Sequence, residues 1–172
     1  MVYKAMMRSL FVSIFCFNVS VASAQVHKKE EFDHHCKFEK SSLTFGLGAP
    51  FSLELSSAGV NLRMYYNLGE QICFGPEYSY FKNGDVEVVD FDIVGHYIFE
   101  TKWFGLYPLV GGNYTVETEE HIETETIAEL GMVFGGGIHR NIKGFTVFAE
   151  YSRVEFGIED QFATFGLMYS FN

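Results

Sequence analysis

Hydrophobic and polar residues alternate one by one along most of the chain from Ser42 onward. The last such segment, residues 163–172, has a hydrophobic residue at every odd position from Ala163 to Phe171 and mostly small or polar residues between them. Successive side chains of a β-strand point to opposite faces, so a period of two predicts strands, and helical spacing explains none of these segments. Seven earlier segments share the pattern: 43–55, 60–68, 72–80, 89–99, 104–116, 128–138 and 145–152. With the last segment, the pattern predicts eight strands.

Two kinds of connection separate the predicted strands and alternate along the chain. Short connections lie at 67–71, 100–102 and 141–144, and longer ones at 56–58, 82–85 and the acidic stretch 117–126. An up-and-down barrel of the outer membrane has short periplasmic turns and longer outer loops. The sequence thus predicts an all-β fold, an eight-stranded antiparallel up-and-down transmembrane β-barrel over residues 42–172. The even strand number places both ends of the barrel on the periplasmic side.

An exported soluble β-barrel that binds a hydrophobic ligand would show the same alternation with its hydrophobic face turned inward. Three features favour the membrane barrel. The polar face is rich in glycine and small residues, which suit the narrow interior of eight strands but would cover a soluble surface poorly. Aromatic residues of the hydrophobic face gather near both predicted strand ends, as at the two interfaces of a bilayer. Of the six basic residues after the N-terminal region, only Arg63 lies in mid-strand, and it lies on the polar face.

Arg63 is predicted to face Glu77 inside the barrel. If residues 69–71 form the turn between the second and third strands, the register places these two side chains directly opposite each other. A desolvated guanidinium requires a carboxylate. We therefore expect a luminal polar network, with separate solvation of each charge by luminal water as the alternative; its predicted members are Arg63, Glu77, Glu129 and Glu150.

Aromatic residues near the predicted periplasmic strand ends are expected to form a girdle at the membrane interface. The four singled out are Tyr66, Phe99, Tyr169 and Phe171. Phe171 ends the hydrophobic face of the closing strand, so we also expect it to belong to the signal for insertion.

The N-terminus has the features of a secretory signal peptide over residues 1–24. Lys4 and Arg8 precede a short apolar run, and Ala22-Ser23-Ala24 forms a small-residue cleavage site. Residues 25–41 are polar and aperiodic, which predicts a flexible tail. Export implies an oxidising compartment, but the spacing of Cys36 and Cys73 does not decide whether they form a disulfide.

Composition and motifs restrict the function classes. A formal net charge of −10 argues against binding to nucleic acid or another polyanion. The sequence contains no catalytic motif of the common hydrolases or phosphate-binding loops, so we expect no catalytic residues and no cofactor.

The adjacent His34, His35 and Cys36 rarely converge on one ion without further ligands, so we expect a solvated tail and no metal site. The acidic stretch 117–126 is read as a solvated loop, with binding of divalent cations and lipopolysaccharide phosphates as the alternative.

The chain resembles the small OmpA/OmpX-like outer-membrane β-barrel family of Gram-negative bacteria. The resemblance extends over residues 42–172 and is carried by the aromatic-ended last strand and by residues 59–68, 74–80 and 107–111. It implies a monomer in the cell envelope that is inserted by the barrel-assembly machinery and contacts outer-membrane lipid and lipopolysaccharide. The family includes structural proteins, adhesins, resistance factors and a few lipid A-modifying enzymes. We expect a structural or surface-interaction role without catalysis.

Overall fold

The computed structural model describes residues 38, 40–120 and 124–171. In this part of the chain the strands are β1 (Leu43–Ser52), β2 (Ser57–Asn67), β3 (Ile72–Asn83), β4 (Val86–Tyr97), β5 (Phe99–Glu100), β6 (Gly105–Glu120), β7 (Thr124–Ile142), β8 (Phe145–Glu155) and β9 (Asp160–Phe171). The two-residue β5 continues β4 past Ile98, and both pair with β6. All pairings are antiparallel, and β1 also pairs with β9, which closes an eight-stranded barrel.

The hydrophobic face of the strands points outward, as predicted. Leu47 in β1 and Ile93 in β4 are 60% and 61% exposed, whereas Thr44 and Arg63 are buried in the interior. A soluble ligand-binding barrel would have the opposite orientation. Exposed apolar side chains of this extent require an apolar surrounding, because transfer of apolar surface out of water is favourable.

The barrel has two distinct ends. At the proximal end β1 begins and β9 ends, with Leu43 paired to Phe171, and the turns 68–71, 101–104 and 143–144 lie at the same end. The distal end carries the connections 53–56, 84–85 and 156–159. The turn of Lys143 and Gly144 has positive φ at both residues (51° and 91°), as a tight type I′ hairpin turn requires.

The predicted difference between short proximal and long distal connections is wrong. The distal connections 53–56 and 84–85 are no longer than the proximal turn 68–71. The acidic stretch 117–126, expected as a loop, lies mostly in strands, because β6 runs to Glu120 and β7 begins at Thr124. Alternating β-branched residues, Val116 just before this stretch and Thr118 within it, fit a pleated strand despite the intervening glutamates. The extra length of the chain therefore extends a hairpin of β6 and β7.

One part of the predicted flexible tail, Phe38, is packed against the barrel. Phe38 is 5% exposed, and its ring lies 5.3 Å from that of His139. The Ser41 N–H donates a hydrogen bond to the Asn67 carbonyl at 2.8 Å. Burial of an aromatic ring at the proximal opening outweighs the local polarity of the tail. The predicted signal peptide 1–24, residues 25–37, residue 39 and the His34–Cys36 cluster lie outside the described residues.

Within the part of the chain that the structure describes, no helix is long and apolar enough to cross a membrane.

Candidate functional site

A network of charged side chains centred on Arg63 fills the middle of the barrel. Arg63 lies opposite Glu77 in the β2–β3 register, and their side chains are joined at 3.0 Å. The guanidinium also reaches Glu150 at 3.2 Å, and its Nε donates to Asn61 Oδ1 at 2.7 Å. Its Nε and both terminal nitrogens therefore have partners, which is required of a guanidinium removed from water.

Neutral side chains donate further hydrogen bonds to the two carboxylates. The Tyr65 hydroxyl and the Asn61 amide donate to Glu77, and the Tyr107 hydroxyl donates to Glu150 at 2.9 Å. β2 and β8 are not neighbours, since β1 and β9 lie between them. The bond from Arg63 to Glu150 thus crosses the lumen and blocks it at this level.

Luminal glycines make room for these large side chains. A Cβ at Gly46 would lie 2.7 Å from Cγ of Arg63, and one at Gly137 would lie 2.5 Å from the Tyr107 hydroxyl oxygen. Such contacts are far inside van der Waals distance. The small residues of the polar face are therefore required by the packing of the network.

Glu129 is not part of the network, contrary to the sequence-based expectation. It has the interior parity, but it is exposed and lies opposite Thr115 on the part of β7 beyond the end of β8. Strands of a barrel are tilted and staggered, so residues at matching sequence positions of different strands lie at different heights. Parity alone therefore placed Glu129 on the correct face and at the wrong height.

The sequence reasoning missed several neutral members of the network. Asn61 and Tyr65 lie two residues either side of Arg63, so the same alternation that placed Arg63 inside also places them inside. Tyr107 has interior parity on β6, and Phe148 lies with its ring centre 4.2 Å from the guanidinium carbon. Parity along the strands could have placed all four side chains inside the barrel. That they lie at the same height along the barrel axis is visible only in the folded barrel.

A second polar cluster lies on the distal side of Arg63. The Asn113 amide donates to Asp92 at 2.8 Å and to Asp90 at 3.4 Å, and the Thr115 hydroxyl also donates to Asp90. Phe81 of β3 and Phe162 of β9 stack at 5.2 Å between ring centres, from opposite sides of the lumen. The interior is thus occupied at this level as well.

Aromatic side chains and a thiol fill the proximal part of the interior. The His96 ring lies 4.8 Å from the ring of Tyr65 and 4.9 Å from that of Tyr107. Cys73 Sγ lies 3.5 Å from Nδ1 of His96, and both residues are buried. Cys73 is a free thiol in the described part of the chain, and Cys36 lies outside that part.

The four predicted girdle residues share the outer surface at the proximal end. They are 36% to 53% exposed, and Leu43 pairs with both Tyr66 and Phe171. The Phe171 ring contacts those of Tyr169 and Phe45 at 4.7 Å and 5.6 Å. Phe99 lies at the same end, beside Tyr97 at 4.8 Å. The structure therefore places these rings in one belt, and the role of Phe171 in insertion stays a prediction.

The structure is similar to solved eight-stranded outer-membrane barrels. The N-terminal β-barrel domain of Pseudomonas aeruginosa OprF matches with a TM-score of 0.68 and 14% identity over 77% of this chain and 98% of that chain. Neisserial surface protein A matches at 0.61 and 12% identity, covering 76% and 96%. Ail of Yersinia pestis matches at 0.56 and 16% identity, covering 77% and 100%. No protein-family model and no curated protein matches the sequence. The predicted fold, a closed antiparallel eight-stranded barrel of the outer-membrane type, is confirmed.

Proposed function

We propose that the chain is an integral outer-membrane protein with a structural or surface-interaction role and no catalytic activity. One observation carries this proposal: a continuous hydrophobic outer face surrounds a lumen that Arg63, Glu77 and Glu150 fill. The outer face supports residence in lipid, and the fold of the barrels to which it is similar supports the outer membrane in particular. Export through the predicted signal peptide 1–24 is part of the proposal.

The filled interior argues against a channel and against chemistry inside the barrel. The Arg63–Glu150 bond and the Phe81–Phe162 stack occupy the lumen at two heights. An eight-stranded barrel is just wide enough to be filled by its own side chains. We therefore expect a rigid monomeric scaffold whose function lies on its surfaces, in contact with lipid, lipopolysaccharide and, during insertion, the barrel-assembly machinery.

The distal surface determines which external partners are compatible with the proposal. Ail has also been solved in complex with the heparin analogue sucrose octasulfate. The distal hairpin of the present chain carries Glu117, Glu125 and Glu129, whose charge would repel a sulfated glycan. A polyanionic partner is therefore disfavoured for this surface.

Fractionation and conductance together test the proposed function. We expect the protein in the outer-membrane fraction, extracted only by detergent, with a folded barrel that migrates differently on a gel before and after heating. In planar bilayers the extracted barrel should give no stable conductance. Release with the periplasmic fluid would refute the membrane role, and a steady open conductance would refute the filled lumen.

A further inference from the structure

Three basic residues lie in one sector of the proximal end of the barrel. Lys102 is in the turn that precedes β6, and Lys143 is in the turn that follows β7. These two turns are neighbours, because β6 and β7 pair with each other up to this end of the barrel. Arg140 lies in the last part of β7. The three residues, here called the proximal basic cluster, are all exposed.

Arg140 belongs to the lipid-facing surface of the barrel. It pairs with Val147 of β8, and its neighbours of the same parity on β7 are Ile138 and Ile142, so that exposed apolar side chains surround it. An arginine in this position lays its apolar stem along the apolar surface and extends its guanidinium to the nearer headgroup region. Because Arg140 is two residues from the end of β7, that headgroup region is the one at the proximal end.

The proximal basic cluster has no carboxylate partner among the described residues. None of its three members forms an ion pair there. The Lys102 Nζ lies 5.7 Å from the centre of the Trp103 ring, which is 63% exposed. Glu100, the carboxylate nearest to Lys102 in the sequence, has the parity of the interior because it pairs with Gly105. Glu70 lies in the turn between β2 and β3, and β4 separates β3 from β6.

The exposed basic residues at the distal end are paired, in contrast to the proximal basic cluster. Lys82 forms an ion pair with Glu87, and the Arg153 Nε lies 3.3 Å from the Glu155 carboxylate. Exposed charges more than about 10 Å apart are largely screened from each other at physiological salt. The proximal basic cluster therefore presents a local positive charge, although the chain as a whole has a formal charge of −10.

We propose that the proximal basic cluster binds the phosphate of an anionic glycerophospholipid in the leaflet at the proximal end of the barrel. The planar guanidinium of Arg140 donates two hydrogen bonds to the phosphate, and the ammonium groups of Lys102 and Lys143 add positive charge beside the headgroup. The acyl chains lie along the apolar surface next to Arg140, and Trp103 lies at the level of the headgroup. This inference rests on the proposed residence in the outer membrane and specifies which lipid is bound and where.

Other anionic or identical partners fit the proximal basic cluster less well. A soluble polyanion would reach the two lysines but not Arg140, which lies among apolar side chains on the lipid-facing surface. A second copy of the chain that docks through the same cluster would bring like charges together, which is unfavourable. A lipid phosphate is the anion that can approach all three basic side chains from within the membrane.

Quenching of Trp103 fluorescence by brominated lipids tests the proposal on the full protein folded into vesicles. Trp103 is the only tryptophan of the chain and lies beside Lys102. The two probes are phosphatidylglycerol and phosphatidylcholine with the same brominated acyl chains, each mixed into unlabelled phosphatidylcholine. One basic residue near an anionic surface contributes roughly fivefold to lipid affinity, so we expect phosphatidylglycerol to bind at least about fivefold more tightly than phosphatidylcholine. High salt should reduce this preference.

Paired neutral substitutions separate the proximal basic cluster from general electrostatics. The variant Arg140→Gln/Lys143→Gln should bring the affinities of the two probes to within about twofold of each other. The control variant Lys82→Gln/Arg153→Gln removes the same number and kinds of charge at the distal end and should keep the preference of the wild type. A heat-dependent gel shift shows that each variant has folded before it is compared.

Any of five results would overturn the lipid site. They are equal affinity of the wild type for the two probes, an unchanged preference in the proximal variant, an equal loss in the distal variant, displacement of the brominated lipid by soluble glycerol phosphate, and stronger displacement by lipid A than by unlabelled phosphatidylglycerol. The first result requires only the wild type, so it applies even where a variant does not fold. Failure of the proposed function is distinguishable, because the protein is then not recovered from membranes as a heat-modifiable barrel.

Discussion

The substitution Arg63→Met is the sharpest test of the luminal network. It removes the cation that contacts both Glu77 and Glu150, and it also removes the donor to Asn61 Oδ1. The flexible methionine fills much of the volume of the arginine stem, so the main consequence is electrostatic. The two buried carboxylates then lose this cation and keep their neutral donors.

The expected loss of stability follows from the number of buried charges that lose their ion-pair partner. Breaking a buried ion pair by removing one partner costs about 3–5 kcal/mol, because the remaining charge stays buried. Hydroxyl and amide donors from Tyr65, Asn61 and Tyr107 moderate this loss, so we expect about 3–5 kcal/mol in total. The change Glu150→Gln leaves Arg63 paired with Glu77 and should cost about 1.5–3 kcal/mol, as for a lost hydrogen bond to a charged group.

Equilibrium urea unfolding in lipid vesicles measures these differences. Trp103 is the only tryptophan and lies in the proximal turn 101–104, where its fluorescence reports unfolding. The triple variant Arg63→Met/Glu77→Gln/Glu150→Gln is the control, because it removes the two carboxylate charges together with the cation. Its free energy of unfolding should exceed that of Arg63→Met by at least about 2 kcal/mol. The reasoning is refuted if Arg63→Met unfolds within about 1 kcal/mol of the wild type, or if the triple variant is the less stable of the two.

Three further predictions address the lipid face, the packing and the closing strand. Leu47→Arg, near the middle of β1 on the outer face, should lower the free energy of unfolding by about 2–4 kcal/mol, whereas Leu53→Arg in a distal connection should have little effect. Gly46→Val should cost about 1–3 kcal/mol through overpacking against the Arg63 stem, whereas Gly69→Ala, with no atom within 4 Å of the added Cβ, should be neutral in the same assay. Phe171→Ala should slow assembly severalfold, measured as the time course of the heat-modifiable form in membranes. Unchanged assembly would exclude Phe171 from the insertion signal.

The hairpin of β2 and β3 shows how much of the strand pairing the local sequence can predict. The turn at 69–71 separates two alternating segments, and counting outward from it places Arg63 opposite Glu77, as the structure does. Turn position and period suffice here, because hairpin register depends only on the intervening chain. Glu150 was also assigned to the interior, but its contact with Arg63 crosses the lumen and depends on how the barrel closes.

The acidic stretch 117–126 shows where composition misleads. Its glutamates indicated a solvated loop, yet β6 and β7 continue through it as paired strands. β4 supports β6 as far as the pair of Val86 and Glu119, so cross-strand pairing overrides the low strand propensity of glutamate. Residues 124–129 pair with β6 and not with β8 because β8 pairs with β7 only from Met132 onward, a difference between strands that no single segment reveals.

The sequence by itself determined the fold class, the number of barrel strands and the face on which each side chain lies. The physical reason is that parity along a strand depends on nothing but position in that strand. Only the tertiary structure decided the heights of side chains along the barrel axis. It decided that Glu150 meets Arg63, that Glu129 lies beyond the network, and that β8 does not pair with residues 124–129. Heights depend on the tilt and stagger with which all the strands close, and these are properties of the complete barrel.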